Sequence, residues 1–91
     1  MKRARNVYKS QKLIRIMLEY DETENTINWI TIAGDFFVYP EEALERLEAD
    51  LIGIKLEKET LKQKIDNFLK NSEVYGFDST SLTYAILDCR H

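Results

Sequence analysis

Residues Leu13 to Tyr20 alternate with period two: Ile14, Ile16, Leu18 and Tyr20 share one face, and Leu13, Arg15, Met17 and Glu19 share the other. The spacing predicts a strand. The polar run Asp21-Glu22-Thr23-Glu24-Asn25 follows as a turn, and Ile27 to Ala33, rich in β-branched residues and carrying Trp29, predicts a second strand. So short a link makes the pair an antiparallel hairpin. If Ile14, Ile16 and Leu18 pair with Ile30 and Ile32 on the core face, then Leu13, Met17, Ile27, Trp29 and Ala33 fall on the opposite face. That face is then either a contact surface or is covered by the N-terminal segment, through Val7 and Tyr8 or a third strand.

Period two gives way to 3.6 after Gly34-Asp35-Phe36-Phe37. Gly34 ends the strand and frees the backbone to turn, and Asp35 is suited to accept bonds from nearby turn amides. Phe36 and Phe37 point in different directions in an extended chain, so one can enter the core while the other faces out. Pro40 suits the first turn of a helix running to about Ile52, with Leu44, Leu47, Leu51 and Ile52 as its apolar stripe, a Glu42–Arg46 pair one turn apart, and Gly53 as its stop. A second helix is predicted over about 57–70 with Leu61, Ile65, Phe68 and Leu69 buried. Gly76 breaks the chain, and Asp78 or Ser79 caps a third short helix to about Asp88, burying Leu82, Ala85 or Ile86, and Tyr84. The fold class is therefore α+β: a two- or three-stranded antiparallel sheet followed by three helices, in one domain over residues 1–91 with a basic arm over 1–11.

Composition narrows the function. With 91 residues, 44% hydrophobic and 32% charged, the chain is a small globular domain with a thin stability margin, which contact with another chain would relieve. Net charge is only −3, but it is segregated: Lys2, Arg3, Arg5, Lys9, Lys12 and Arg15 precede any acid, whereas residues 41–50 set Glu41, Glu42, Glu45, Glu48 and Asp50 against Arg46. No helix–turn–helix pattern, zinc spacing or aromatic RNA-binding motif accompanies the basic start, so nucleic acid is not the expected partner. The basic start reads as a solvated arm or one that docks on an acidic partner surface. One cysteine, Cys89, excludes an internal disulfide and fits a reducing cytoplasm. Nothing approaches the roughly 20 apolar residues of a membrane span.

Catalytic chemistry is missing from the pattern. The single histidine is His91, the last residue, and with Cys89 it makes neither a held nucleophile pair nor a zinc site. Three scattered glycines make no phosphate cradle. Asp35 alone sits in an unusual setting, and a turn-forming acid explains it better than a general base.

The order of elements resembles the C-terminal accessory domain of lipoate–protein ligases. The residues that carry the resemblance are Leu13-Ile14-Arg15-Ile16 in the hairpin, Gly34-Asp35-Phe36-Phe37 at the corner, Leu51-Ile52-Gly53-Ile54 at the helix end, and the turn and short helix from Gly76 to Leu82. Glu24-Asn25-Thr26 departs from the glycine-bearing turn common in the family, and the large catalytic domain, with its nucleotide-binding glycines and lysine, is missing. The resemblance implies a SufE/NifU-like fold and a stand-alone small subunit of a two-chain ligase, itself without catalytic residues or bound cofactor. The complex would use ATP, Mg²⁺ and lipoate to form lipoyl-AMP, then lipoylate acceptor domains. The candidate contacts with the catalytic subunit are Asp35, Phe36 and Phe37, then Trp29 and Met17, with Gly34, Pro40, Gly53 and Gly76 shaping the turns. Two other readings stand beside it: a SufE-like sulfur scaffold, for which Cys89 is poorly placed, and a small nucleic-acid-binding module using the basic arm.

Overall fold

A computed structural model describes residues 2–9 and 11–90. His91, discounted above as a catalytic group, and Met1 and Ser10 of the expected arm lie outside the described residues. The chain runs β1 (Lys2–Lys9), β2 (Leu13–Asp21), β3 (Thr26–Gly34), β4 (Phe37–Tyr39), α1 (Glu42–Leu51), α2 (Lys58–Lys70), β5 (Glu73–Tyr75) and α3 (Ser79–Leu87). The first three strands form an antiparallel sheet in the order β1-β2-β3, and β4 and β5 pair in a separate antiparallel ribbon. The architecture is α+β, and the segment expected as an arm contributes its third strand.

The hairpin closes as its polar residues require. The Asp21 carboxylate accepts from the backbone N–H groups of Thr23 (2.8 Å) and Glu24 (3.1 Å), and Asn25 takes the left-handed conformation that Asn tolerates well. The inward row Ile14, Ile16, Leu18, Tyr20, Ile30 and Ile32 is buried as the alternation predicts. Ile27 is not on the outer face where strict alternation places it. The register shifts between Glu19 and Tyr20, so that Tyr20 opposes Ile27 while Glu19 opposes Trp29. This bulge leaves Asn28 unpaired, puts Asn28 and Trp29 side by side outside, and turns Ile27 into the core.

The helices close the inner face. Leu47 and Leu51 of α1, Leu61 and Ile65 of α2, and Leu82, Ala85 and Ile86 of α3 are buried against the sheet row. Five expected positions differ: Leu44 of α1, beside the buried Ala43, and Phe68 and Leu69 of α2 are only half-buried, Ile52 lies past the helix end and is exposed, and Tyr84 points outward under the Lys58 ammonium. Glu42 and Arg46 form no ion pair. Asp78 caps α3 reciprocally: the Ser81 N–H donates to its carboxylate at 2.7 Å, and its own N–H donates to the Ser81 hydroxyl at 3.0 Å. Pro40 opens the turn before α1, its carbonyl accepting from the Ala43 N–H at 3.0 Å.

The outer edge of β3 is closed by its surroundings. The loop after α1 bonds to Ile27, with Gly53 N–H donating to its carbonyl (2.7 Å) and the Ile54 carbonyl accepting from its N–H (3.0 Å). Farther along, the Ile32 N–H donates to the Glu48 carboxylate at 2.7 Å. Glu48, one of the acids of the 41–50 run, thus covers a strand edge. On the other side, the inner face of β1 presents Ala4, Asn6 and Tyr8, and the Asn6 amide donates to the Ala85 carbonyl at 3.0 Å, tying β1 to α3.

Candidate functional site

The corner after β3 is built around two glycines. A Cβ on Gly34 would overlap the Leu13 carbonyl oxygen, which accepts from the Asp35 N–H at 3.0 Å. A Cβ on Gly76 would lie 2.7 Å from the Phe36 Cβ. The absence of side chains at these positions lets three backbone segments meet, so that the chain leaves β3 and enters the β4–β5 ribbon within two residues.

The two phenylalanines then part. Phe36 is half-buried and meets Phe77 edge-on, with ring centroids 4.9 Å apart and planes at 88°. Phe37 is 58% exposed. It shares the outer face of the ribbon with Tyr39 and Tyr75, both of them also exposed, and its ring lies 6.4 Å from that of Tyr75. Between them Val38 faces inward, buried. The sequence reading missed Tyr39 and Tyr75 as members of this patch. The alternation Phe37-Val38-Tyr39 and Val74-Tyr75 was its only signal, over strands of three residues each. Asp35 is exposed at the rim, and among the described residues its carboxylate accepts no hydrogen bond, contrary to the turn-bonding role expected of it. It borders a hollow with Lys12, Phe37 and Tyr75.

Trp29 and Met17 are elsewhere, on the outer face of the three-stranded sheet. β1 extends this face at its edge without covering it, so the apolar pair stays open to solvent. The candidate contact residues therefore form two patches: an aromatic ribbon at the corner and a sheet face. Gly53 lies apart from both, at the end of α1.

Among the described residues no three or more His, Cys, Asp or Glu side chains gather as metal ligands would. Cys89 is buried, with its thiol directed at the Ala85 carbonyl, 3.5 Å away. Burial first, and the nearby Asp88 carboxylate second, push that thiol from 9.0 up to about 12. A thiol so protonated and enclosed is a poor nucleophile. Among the described residues no helix is long and apolar enough to cross a membrane.

The chain is similar to proteins that share this arrangement. It is 46% identical over 52 residues to Lipoate-protein ligase A subunit 2 of Thermoplasma acidophilum, a match covering 56% of this chain and 53% of that relative. The matched region thus spans about half the length of the curated relative. A chain in the solved structure of an archaeal lipoylation system, a bipartite lipoate protein ligase and its E2 lipoyl domain from Thermoplasma acidophilum, superposes with a TM-score of 0.82 at 30% identity, covering 93% of this chain and 94% of that one. The family described as bacterial lipoate protein ligase C-terminus matches residues 14–86, from the start of β2 almost to the end of α3. With hairpin, corner and all three helices inside that match, the chain belongs to the lipoate protein ligase C-terminal family.

Proposed function

We propose that this chain is the non-catalytic accessory subunit of an ATP-dependent lipoate–protein ligase. It binds a separate catalytic subunit in the cytoplasm and is needed for activation of lipoate to lipoyl-AMP, and so for lipoylation of acceptor domains. The observation that carries the reading is the end-to-end similarity, at a TM-score of 0.82, to a chain of a bipartite ligase. ATP, Mg²⁺ and lipoate are assigned to the catalytic subunit.

The physical role is docking. Phe37, Tyr39 and Tyr75 offer rigid apolar rings with few rotatable bonds, which bind at low entropic cost. Asp35 stands at their rim, and Phe36 holds the corner from beneath. A small chain seated over the adenylate site fixes the partner's mobile loops and excludes water there, which lowers the barrier without supplying a reacting group. The test is lipoyl-adenylate formation by the purified catalytic subunit with and without this chain. A large gain on addition is the expected result, and equal rates refute the proposal. The buried, protonated Cys89 argues against the sulfur-scaffold alternative.

A further inference from the structure

The outer face of the three-stranded sheet carries a charge pattern that the fold does not need. Across the strands its rows run Arg3–Glu19–Trp29, Arg5–Met17–Thr31, Val7–Arg15–Ala33 and Lys9–Leu13. Arg3 leans on Glu19 at 3.7 Å. Among the described residues Arg5, Lys9 and Arg15 have no carboxylate within bridging distance. Arg5 and Arg15 thus flank Met17, with Lys9 farther along the same face, in a chain whose net charge is −3. Beside Trp29 lies a groove of about 700 Å³, with Met17, Arg3, Arg5 and Glu19 in its walls.

Cations on an edge strand guard against edge-to-edge pairing, which accounts for Arg5 and Lys9. Arg15 and Met17 are on the central strand, where no edge needs protecting. Tryptophan, methionine and arginine together are the side chains enriched at protein interfaces. Three strands about 4.8 Å apart and eight residues long make a face of roughly 400 Å². That is about half of what one partner commonly contributes to a stable complex. The face is therefore suited to be one part of a larger interface. It reaches the aromatic corner at its Leu13–Gly34 end, where the Lys12 N–H donates to the Gly76 carbonyl at 3.3 Å.

Building on the accessory-subunit reading, we propose that this face docks an acidic surface of the catalytic chain, with an apolar side chain of that surface entering the groove beside Trp29 and Met17. The charges steer the encounter and the groove holds the complex, so the two contributions separate kinetically.

The experiment is surface plasmon resonance with the purified catalytic subunit at 50 and 500 mM NaCl. It compares the wild-type chain with the double variant Arg5→Glu/Arg15→Glu, with Trp29→Ala and with Phe37→Ala. Wild-type association is expected to slow about tenfold between the two salts. The double reversal should lower the association rate at 50 mM by at least as much and abolish its salt dependence. Trp29→Ala should speed dissociation and keep the salt dependence. Phe37→Ala should also speed dissociation with the salt dependence intact, reporting on the corner independently of the sheet face. Wild-type rates for the double reversal at both salts overturn the proposal while leaving the accessory-subunit reading standing. So does salt-dependent self-association of this chain, or binding to a single-stranded RNA, that disappears with the same double reversal while binding to the catalytic subunit persists. A wild-type chain that fails to bind the catalytic subunit at either salt overturns the accessory-subunit reading itself.

Discussion

Adjacent phenylalanines at the corner have separable jobs, and truncating each in turn tests that separation. Removing a fully buried phenylalanine ring costs about 3–5 kcal/mol. Phe36 is half-buried, and its ring loses both the core contact and the edge-on partner Phe77, a pairing worth about 1 kcal/mol of the total. Phe36→Ala should therefore cost about 2–3 kcal/mol of folding stability. In a domain of this size 1 kcal/mol moves the melting temperature by about 4–8 °C, so the transition should fall by about 10–20 °C. Phe37 is mostly exposed and touches the ribbon only at its side, so Phe37→Ala should cost under about 0.5 kcal/mol of stability. Its effect is expected in the complex: loss of an interface anchor of about 2 kcal/mol raises the Kd roughly 30-fold. Urea unfolding and calorimetry of the free chain give the first quantity, and isothermal titration of the catalytic subunit gives the second. The reasoning is refuted if the pattern inverts, with Phe37→Ala unfolding early or binding like wild type, or with Phe36→Ala unchanged in stability.

Glu48→Ala should destabilise the fold by about 1–2 kcal/mol in urea titrations, because it strands the Ile32 N–H at a half-covered strand edge, and Glu48→Gln should recover part of the loss by accepting the same bond. Gly34→Ala should be among the most damaging substitutions, lowering the melting temperature by about 10 °C or more, since the added methyl overlaps the Leu13 carbonyl; a wild-type melt would disprove the close-approach argument. The Cys89 thiol should resist a disulfide reagent at pH 8 in the native protein and react at once in urea. Because its folded value of about 12 lies above 9.0, the stability that depends on its neutral form is whole below pH 9 and is lost as pH climbs toward 12. Cys89→Ala should therefore show a shallower alkaline decline in urea-unfolding free energy than wild type.

The regular elements were legible because each carries several repeats of its own period. The β2 row and the α2 pair Leu61 and Ile65 are read correctly from spacing alone, and the Asp78 cap from residue type. The errors have a common physical origin, since periodicity is blind to anything that changes within one repeat. One residue's slip at Glu19/Tyr20 sends Ile27 inside and leaves Trp29 beside Asn28, and no composition rule marks that bulge. β4 and β5 are three residues each, too short to show alternation against a loop background, so the ribbon and two of its three aromatics went unseen. β1 alternates charge with small or polar residues, because its inner face meets α3 through Ala4 and Asn6 instead of through a hydrophobic row.

The unseen ribbon coincides with a candidate docking surface, and the coincidence has a cause. A surface that binds another chain departs from the core-in, polar-out pattern, because its apolar residues answer to a partner that the sequence does not contain. Phe37, Tyr39 and Tyr75 are apolar and outward on a ribbon whose inward Val38 alone obeys the pattern. Met17 is apolar and outward on the central strand, among arginines. Had the ribbon served only the fold, polar residues at 37, 39 and 75 would have served it equally, since none of the three is needed to bury Val38 or to seat Phe36 on Phe77. Replacing all three with Ser is therefore a sharper test than any single change: the free chain should keep its cooperative melt within a few degrees while losing the catalytic subunit. A collapse of the fold would instead show that the exposed rings stabilise the domain itself, and would move the search for the interface to the sheet face.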